Sequence, residues 1–289
     1  MCLYEEAHGV DASHPIFQGP FPVTPTWHDM PTPAHYKNLD PSLGPTLRAW
    51  RVHRDKLPER SYVGVVADGF GFLDSPDAEW IASGRNSKNA RAAALARHGN
   101  FFHWGFAAAP PELTDEAQRV FLNTLAYMKR FAGQRPLAIG ETRSREWLRA
   151  MIAGDQPLAD YVKNQLPPSW LAAAGDDRQA LRALAAAELG FLHREGTRWQ
   201  VDADCKRLGL DNRTPTALRR CVELQANGGD DAKAAQAVLE RYTGERFTTA
   251  AEWQRWLADA GDRLFHSDVV GRFRVAPKDL VPPHRAKTD

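Results

Sequence analysis

The densest run of chemistry-bearing side chains is Asp68-Gly-Phe-Gly-Phe-Leu-Asp74-Ser-Pro-Asp77-Ala-Glu79. Asp68 closes an apolar, β-branched run, and the ends of strands are where α/β folds place ligand-binding groups. Asp74, Asp77 and Glu79 could offer oxygens to a hard cation, although their spacing is not that of a calcium loop. The competing reading is a surface turn in which Gly, Asp, Ser and Pro serve the backbone. A second candidate is Gly84 to Arg91. Here Arg85, Ser87 and Lys88 would surround an anion where a strand gives way to a helix N-terminus. It is not a P-loop, because the Gly-x4-Gly-Lys-Ser/Thr spacing is absent. The competing reading is a solvated loop. The third candidate is Arg97-His98-Gly99-Asn100. His98 would be a general base working with Asp68, since imidazole titrates near neutral pH. Arg97 and Asn100 would bind the ligand, Asn100 by orienting a carbonyl; otherwise both bond to backbone and define a turn.

Other groups carry less. His8, His14, His28, His35 and His53 lack metal-ligand spacing. Cys2, Cys205 and Cys221 suit neither a metal knuckle nor a disulfide framework. Trp253 and Trp256 read as core rather than as a sugar platform. No cofactor is implied.

These residues need elements to hold them. Residues 1–60 are rich in Pro and His, and His14 to Pro22 must be extended or turning, so this stretch is expected to wrap a folded body. Ser61 to Ala67 reads as a buried strand and Asn100 to Phe106 as an aromatic one. Thr114 opens an amphipathic helix with Asp115 and Glu116 in its first turn, stopped at Gly133. A linker follows, and the chain turns helical. Asp177 to Leu189 is a helix, Phe191 to Asp202 a hairpin turning at Glu195-Gly196, and Thr214-Pro215 a helix start. Asp231 to Tyr242 is amphipathic, and Thr249 with Glu252 is a capping box. The last two helices resemble one unit of a helical repeat. The predicted division is 1–135, an α/β domain; 136–276, a helical domain with a small hairpin; and 277–289, a loose tail.

The 289 residues are 43% hydrophobic and 25% charged with a net charge of +1, a globular composition with no electrostatic case for nucleic acid. Arg219 and Arg220 beside the hairpin are the weak exception. No apolar run reaches the length of a membrane span, and acidic residues stand where a signal peptide would be apolar. The expectation is a cytoplasmic protein whose partner is a small molecule or another protein.

The stretch from Gly64 to Phe131 resembles the closing part of a class I glutamine-amidotransferase-like domain of the trehalose-utilisation-protein kind. The resemblance rests on Ile81-Ala-Ser-Gly84, on Ala96-Arg-His-Gly-Asn-Phe-Phe102 leading into Trp104-Gly-Phe106, and on Asn123 in the following helix. His14-Pro-Ile-Phe-Gln-Gly19 is similar to an element that precedes those strands. Over residues 10–135 it implies the later half of a flavodoxin-like three-layer α/β sandwich, with the earlier βα units outside this chain. The Tyr242 to Trp256 region resembles helical-repeat tails beside bacterial hydrolase-like domains. The amidotransferase triad does not carry over. It needs a thiolate on a sharp strand-to-helix turn, a histidine and a carboxylate. No cysteine has the Gly-x-Cys-x-Gly setting, and no His-Pro-Glu or His-x-Glu closes the domain. The expected function is therefore a non-catalytic ligand-binding or assembly module. The alternative is a hydrolase acting on a carbohydrate-related substrate.

Overall fold

The computed structural model describes residues 2–55, 62–140, 143–154 and 157–285. The chain forms two compact units, residues 1–137 with 280–289, and residues 138–279.

The first unit is built on a six-stranded sheet in the order β2-β3-β1-β4-β5-β6. The strands are β1 (Leu3–His8), β2 (Trp27–Pro31), β3 (Thr46–Arg51), β4 (Ala78–Asn86), β5 (Ala93–His98) and β6 (Phe101–Trp104). All five strand pairings are antiparallel. The unit is thus mixed α/β as expected. A flavodoxin-like sandwich, however, is built on parallel strands with helical crossovers, and these pairings do not have that form.

Half of the sheet comes from residues 1–60, which were expected to wrap a body made elsewhere. The central strand β1 hides its nature because it carries Glu5 and Glu6, each 5% exposed. Glu6 is accommodated by His28 of β2 and Arg85 of β4, at 2.8 and 3.0 Å. β4 and β5 are buried along most of their length, with Ala78, Ala82, Ala93, Ala94 and Ala96 letting other layers approach closely.

The expected strand over 61–67 is not a full strand. Its first residue lies outside the described residues, and the remainder makes isolated bridges, Gly64 to Phe106 and Ala67 to Ala93. Here two backbones touch: a Cβ on Gly64 would sit 2.0 Å from the Gly105 carbonyl oxygen. Only glycine permits such an approach.

Helix α1 (Pro15–Gln18) and helix α2 (Asp115–Met128) belong to this unit. Thr114 caps α2 by accepting from the Ala117 N–H, as its sequence signals. Ala117, Val120, Thr124 and Tyr127 form the buried stripe of α2, and Ala117, Val120 and Tyr127 belong to a core shared with Phe17, Trp50, Ile81 and Leu95. Asn123, within that stripe and fully buried, donates to the Ile16 and Phe21 carbonyls and accepts from the Phe21 N–H. The asparagine singled out by the resemblance thus ties α2 to the segment after His14.

The C-terminal stretch from residue 277 was expected to be a loose tail. Residues 280–285 fold onto the first unit, with Val281 against its core and the Arg285 guanidinium on the Ala78 carbonyl at 2.9 Å.

The second unit contains α3 (Arg145–Ala153), α4 (Asp160–Lys163), α5 (Pro168–Ala174), α6 (Arg178–Glu188), α7 (Ala203–Leu208), α8 (Pro215–Asn227), α9 (Gly229–Thr243) and α10 (Ala250–Ala260). Two hairpins complete it, β7 (Leu192–Glu195) with β8 (Arg198–Val201) and β9 (Leu264–Ser267) with β10 (Arg272–Val275). Gly196 turns the first hairpin with φ 60°, as expected. The caps at Asp177 and Thr214 and the Thr249–Glu252 capping box form as their residue types dictate. Helix, short 3-10 turn and hairpin occur in that order twice, through α6 and through α10. Each hairpin is closed at its base in the same way, by Asp202 N–H to the Phe191 carbonyl and by Ala276 N–H to the Arg263 carbonyl. Trp253 is fully buried, its indole N–H on Gln236 and its ring against Phe247 and Trp256, so it is core and not a sugar platform.

Candidate functional site

The chemistry-bearing residues of the first unit gather around one carboxylate, Glu79 on β4. Arg97, its register partner on β5, donates through Nε to Oε2 at 2.6 Å. Tyr127 on α2 donates to Oε1 at 2.8 Å, and the His284 backbone N–H donates to the same oxygen at 2.6 Å. His14 Nε2 lies 3.4 Å from Oε2, while its Nδ1 accepts from the Ile16 N–H. That pattern assigns the neutral tautomer with its proton on Nε2. Burial drives His14 the same way, pulling its pKa below the ordinary histidine value despite Glu79 beside it. For Glu79, burial works against the charge, but His14, Arg97 and the His284 N–H override it and bring the carboxyl down to about 2.

Arg97 is itself sealed. Its Nη1 donates to the Gly99 carbonyl, and its guanidinium lies 3.6 Å over the Phe131 ring. His14, Glu79 and Arg97 are each exposed by 1% or less. The Glu79 carboxylate therefore has its acceptor sites taken and no path to solvent. The expected ligand contact by Arg97 is replaced by an internal ion pair.

A second group lies at the start of β4. Asp77 accepts from Ser75 Oγ at 2.5 Å and from the Leu137 N–H at 3.0 Å, and His98 Nε2 is 3.4 Å from the same Oδ1 that Ser75 uses. Burial opposes ionisation of Asp77, but His98 and Ser75 outweigh it and hold its pKa below the ordinary carboxylate value. Serine, histidine and aspartate are thus together, but in an order that does not activate a nucleophile. Activation needs the imidazole between hydroxyl and carboxylate; here both hydroxyl and imidazole approach the carboxylate, and Ser75 is buried.

The remaining expected residues have other partners or other places in the fold. Asp68, the expected partner of His98, accepts from the Phe70 N–H two residues on, a turn-forming contact. Asp74 ends a 3-10 turn over Phe72–Asp74. With Asp77 and Glu79 occupied as described, Asp74, Asp77 and Glu79 form no cation site, and among the described residues no three potential donors come together around a metal position. Gly84 to Arg91 is not a helix start: β4 runs through Asn86 and turns back into β5. Asn86 holds that turn by accepting from the Lys88 and Asn89 N–H groups. Arg85 is drawn onto Glu6, while Ser87 and Lys88 are exposed. Asn100 is exposed in the β5–β6 turn.

None of the cysteines is disulfide-bonded. Cys205 and Cys221 are fully buried in the second unit, and burial raises both thiols, Cys221 to about 12. Neither is a thiolate near neutral pH.

The second unit presents a different kind of site, an open cleft of about 520 Å3. Arg149, on α3, and Arg182, on α6, line it together with Asp211 and Arg213 from the loop before α8. Ile152, Leu189 and Phe191 supply apolar wall, and alanines of α6 leave the space open. Arg182 is fixed by the carbonyls of Ile152, Ala153 and Gly154 at the end of α3. Arg213 grips Asp211 with two hydrogen bonds, at 2.9 and 2.6 Å. Burial works against Asp211, but Arg213 prevails and keeps its pKa below the usual carboxylate value. Nothing in the local sequence signals this cleft, because its arginines come from three separate segments.

Among the described residues, no helix is long and apolar enough to cross a membrane. No family model, curated protein or solved structure matches this chain.

Proposed function

We propose that this chain is a non-catalytic ligand-binding or assembly module, related to amidotransferase-like proteins but without their Cys-His-Glu chemistry. The observation that carries the reading is the sealed Glu79 cluster. An acid, a base and a cation stand together there, but they bond to one another and are shut off from solvent. Catalysis requires a group within hydrogen-bond reach of a substrate, and these groups reach only one another.

The kinship is supported by where its motif residues fall. His14 and Arg97 meet on Glu79, and Asn123 holds the segment that follows His14. Residues chosen from separate motifs thus share one neighbourhood. A cytoplasmic setting fits the unpaired cysteines, and the near-neutral charge fits a partner other than nucleic acid.

A second reading, a hydrolase acting on a carbohydrate-related substrate, has one observation in its favour: the partly exposed His98 beside Asp77. One experiment separates the two. The full chain and its His98→Ala variant are incubated with glutamine, nitrophenyl acetate and nitrophenyl glycosides. The binding-module reading expects no turnover above background from either. Turnover by the parent that His98→Ala abolishes, with the fold retained by circular dichroism, establishes the hydrolase instead.

A further inference from the structure

We propose that the cleft of the helical unit is a binding site for a small organic anion, an oxyanion group carried on a compact apolar body. This deepens the binding-module reading by assigning a ligand class, and it rests on that reading.

The charge of the lining points to an anion. Arg149, Arg182 and Arg213 line the cleft with Asp211, and no other acidic residue lines it among the described residues. Arg149 is exposed, and no acidic partner is found for it among the described residues. It is the cation with a guanidinium to offer. Guanidinium groups match oxyanions because their donors lie in a planar fork.

The cleft is also held in shape. The α3 carbonyls fix Arg182, which leaves that side chain little to lose in entropy on binding. Asp211 orients Arg213 in the same way. Gly190 makes room for Asp211, since a Cβ there would come within 2.9 Å of its carboxyl carbon. Behind the wall, the buried Arg145 pairs with Asp268 at 3.0 Å and donates to Asn212 at 2.5 Å. Asn212 in turn donates to Tyr242. This network fixes the residue next to Asp211 from within.

The walls set the rest of the ligand. Ile152, Leu189 and Phe191 favour an apolar body over a bare inorganic ion. The volume lies in the range of small-molecule sites, roughly 300–1,000 Å3. The matching chemistry is a phosphate or carboxylate on one or two rings or a short hydrocarbon.

The test uses the full chain, with phenyl phosphate, benzoate, inorganic phosphate and benzyl alcohol as probes, by calorimetry and by proton NMR of the probe. Phenyl phosphate or benzoate is expected to bind, at least tenfold tighter than inorganic phosphate, with benzyl alcohol not binding. The tighter of the two organic probes distinguishes a phosphate from a carboxylate ligand. Arg149→Glu is expected to weaken binding at least tenfold. Ala186→Leu, at an exposed helix position that lines the cleft, should block binding without changing charge. Equal binding of phenyl phosphate and benzyl alcohol, no binding by either organic anion, or binding unaffected by both substitutions overturns the proposal. Release of phenol from phenyl phosphate is followed in the same samples. Phenol release abolished by Arg149→Glu would leave the site in place and overturn the non-catalytic reading; absence of binding overturns only the site.

Discussion

The Glu79 carboxylate on β4 accepts a hydrogen bond, 2.6 Å long, from the backbone N–H of His284, a residue 205 positions further along the chain. The His284 ring sits edge-on to His14 and reaches Asp11 at 3.3 Å. A chain ended at residue 279 loses these contacts together with Val281 and Arg285. A hydrogen bond to a charged group contributes ~1.5–3 kcal/mol, so the first unit should lose at least that much. Hydrogen exchange should quicken in β4 and α2 while α8 and α9 keep their protection. Equal protection of β4 in both chains would show that the segment only rests on the surface.

Removing one member of the Glu79–Arg97 pair should be far costlier than its single ion-pair contact suggests. Glu79→Gln leaves a buried guanidinium without its counterion, an effect worth ~3–5 kcal/mol. Arg97→Met leaves the carboxylate with three donors, Tyr127, His14 and the His284 N–H, and should cost less. The two losses should not add. Urea unfolding of both single variants and the double variant measures the coupling, expected at ~1–3 kcal/mol.

Stability should decline in mild acid, chiefly through two buried histidines, one in each unit, with His14, His53, His103 and His193 lowered by burial as well. Burial lowers His8 and His266 from 6.5 to about 4. Between those pH values the unfolded chain binds the protons that the folded chain refuses. Stability therefore falls as pH drops from 6.5 towards 4 and is level above that window. Each site accounts for ~3 kcal/mol over the whole interval. Glu79, lowered to about 2 from 4.5, adds a further loss as pH falls through that lower range. Urea midpoints measured from pH 8 to pH 2 check this. His8→Gln should flatten the slope for the first unit and His266→Gln for the second; an unchanged slope in both would refute the assignment.

The Gly64–Gly105 crossing should tolerate no side chain. Its 2.0 Å approach involves backbone on both sides, so neither residue can move aside cheaply. Gly64→Ala should destabilise the first unit by ~1–3 kcal/mol, the range for overpacking. The control is Gly133→Ser, where no atom lies within 4 Å of a built Cβ but φ is 81°, so the cost there is backbone strain alone. Thermal unfolding of both variants ranks the two effects, with the larger loss expected at Gly64.

The sequence by itself determined the features that a few neighbouring residues can specify. Thr114, Asp177, Thr214 and the Thr249–Glu252 pair mark helix starts, because a side-chain oxygen satisfies an N–H only two or three residues away. Gly196 marks its hairpin for the same local reason. The helical character of the chain beyond the linker was legible as a change in periodicity. Tertiary structure alone decided the rest. β1 is invisible as a central strand because Glu5 and Glu6 break its apolar pattern, and Glu6 becomes tolerable only when distant His28 and Arg85 arrive. The same holds for the sites. Arg97 and His98 were visible as chemistry, yet their partners, Glu79 and Asp77, were fixed by sheet register and not by spacing. His14, Tyr127 and His284 meet on one carboxylate from three ends of the unit, and Arg149, Arg182 and Arg213 meet around one cleft. Long-range convergence leaves no local pattern, since each residue's role depends on a partner that only the folded chain brings near.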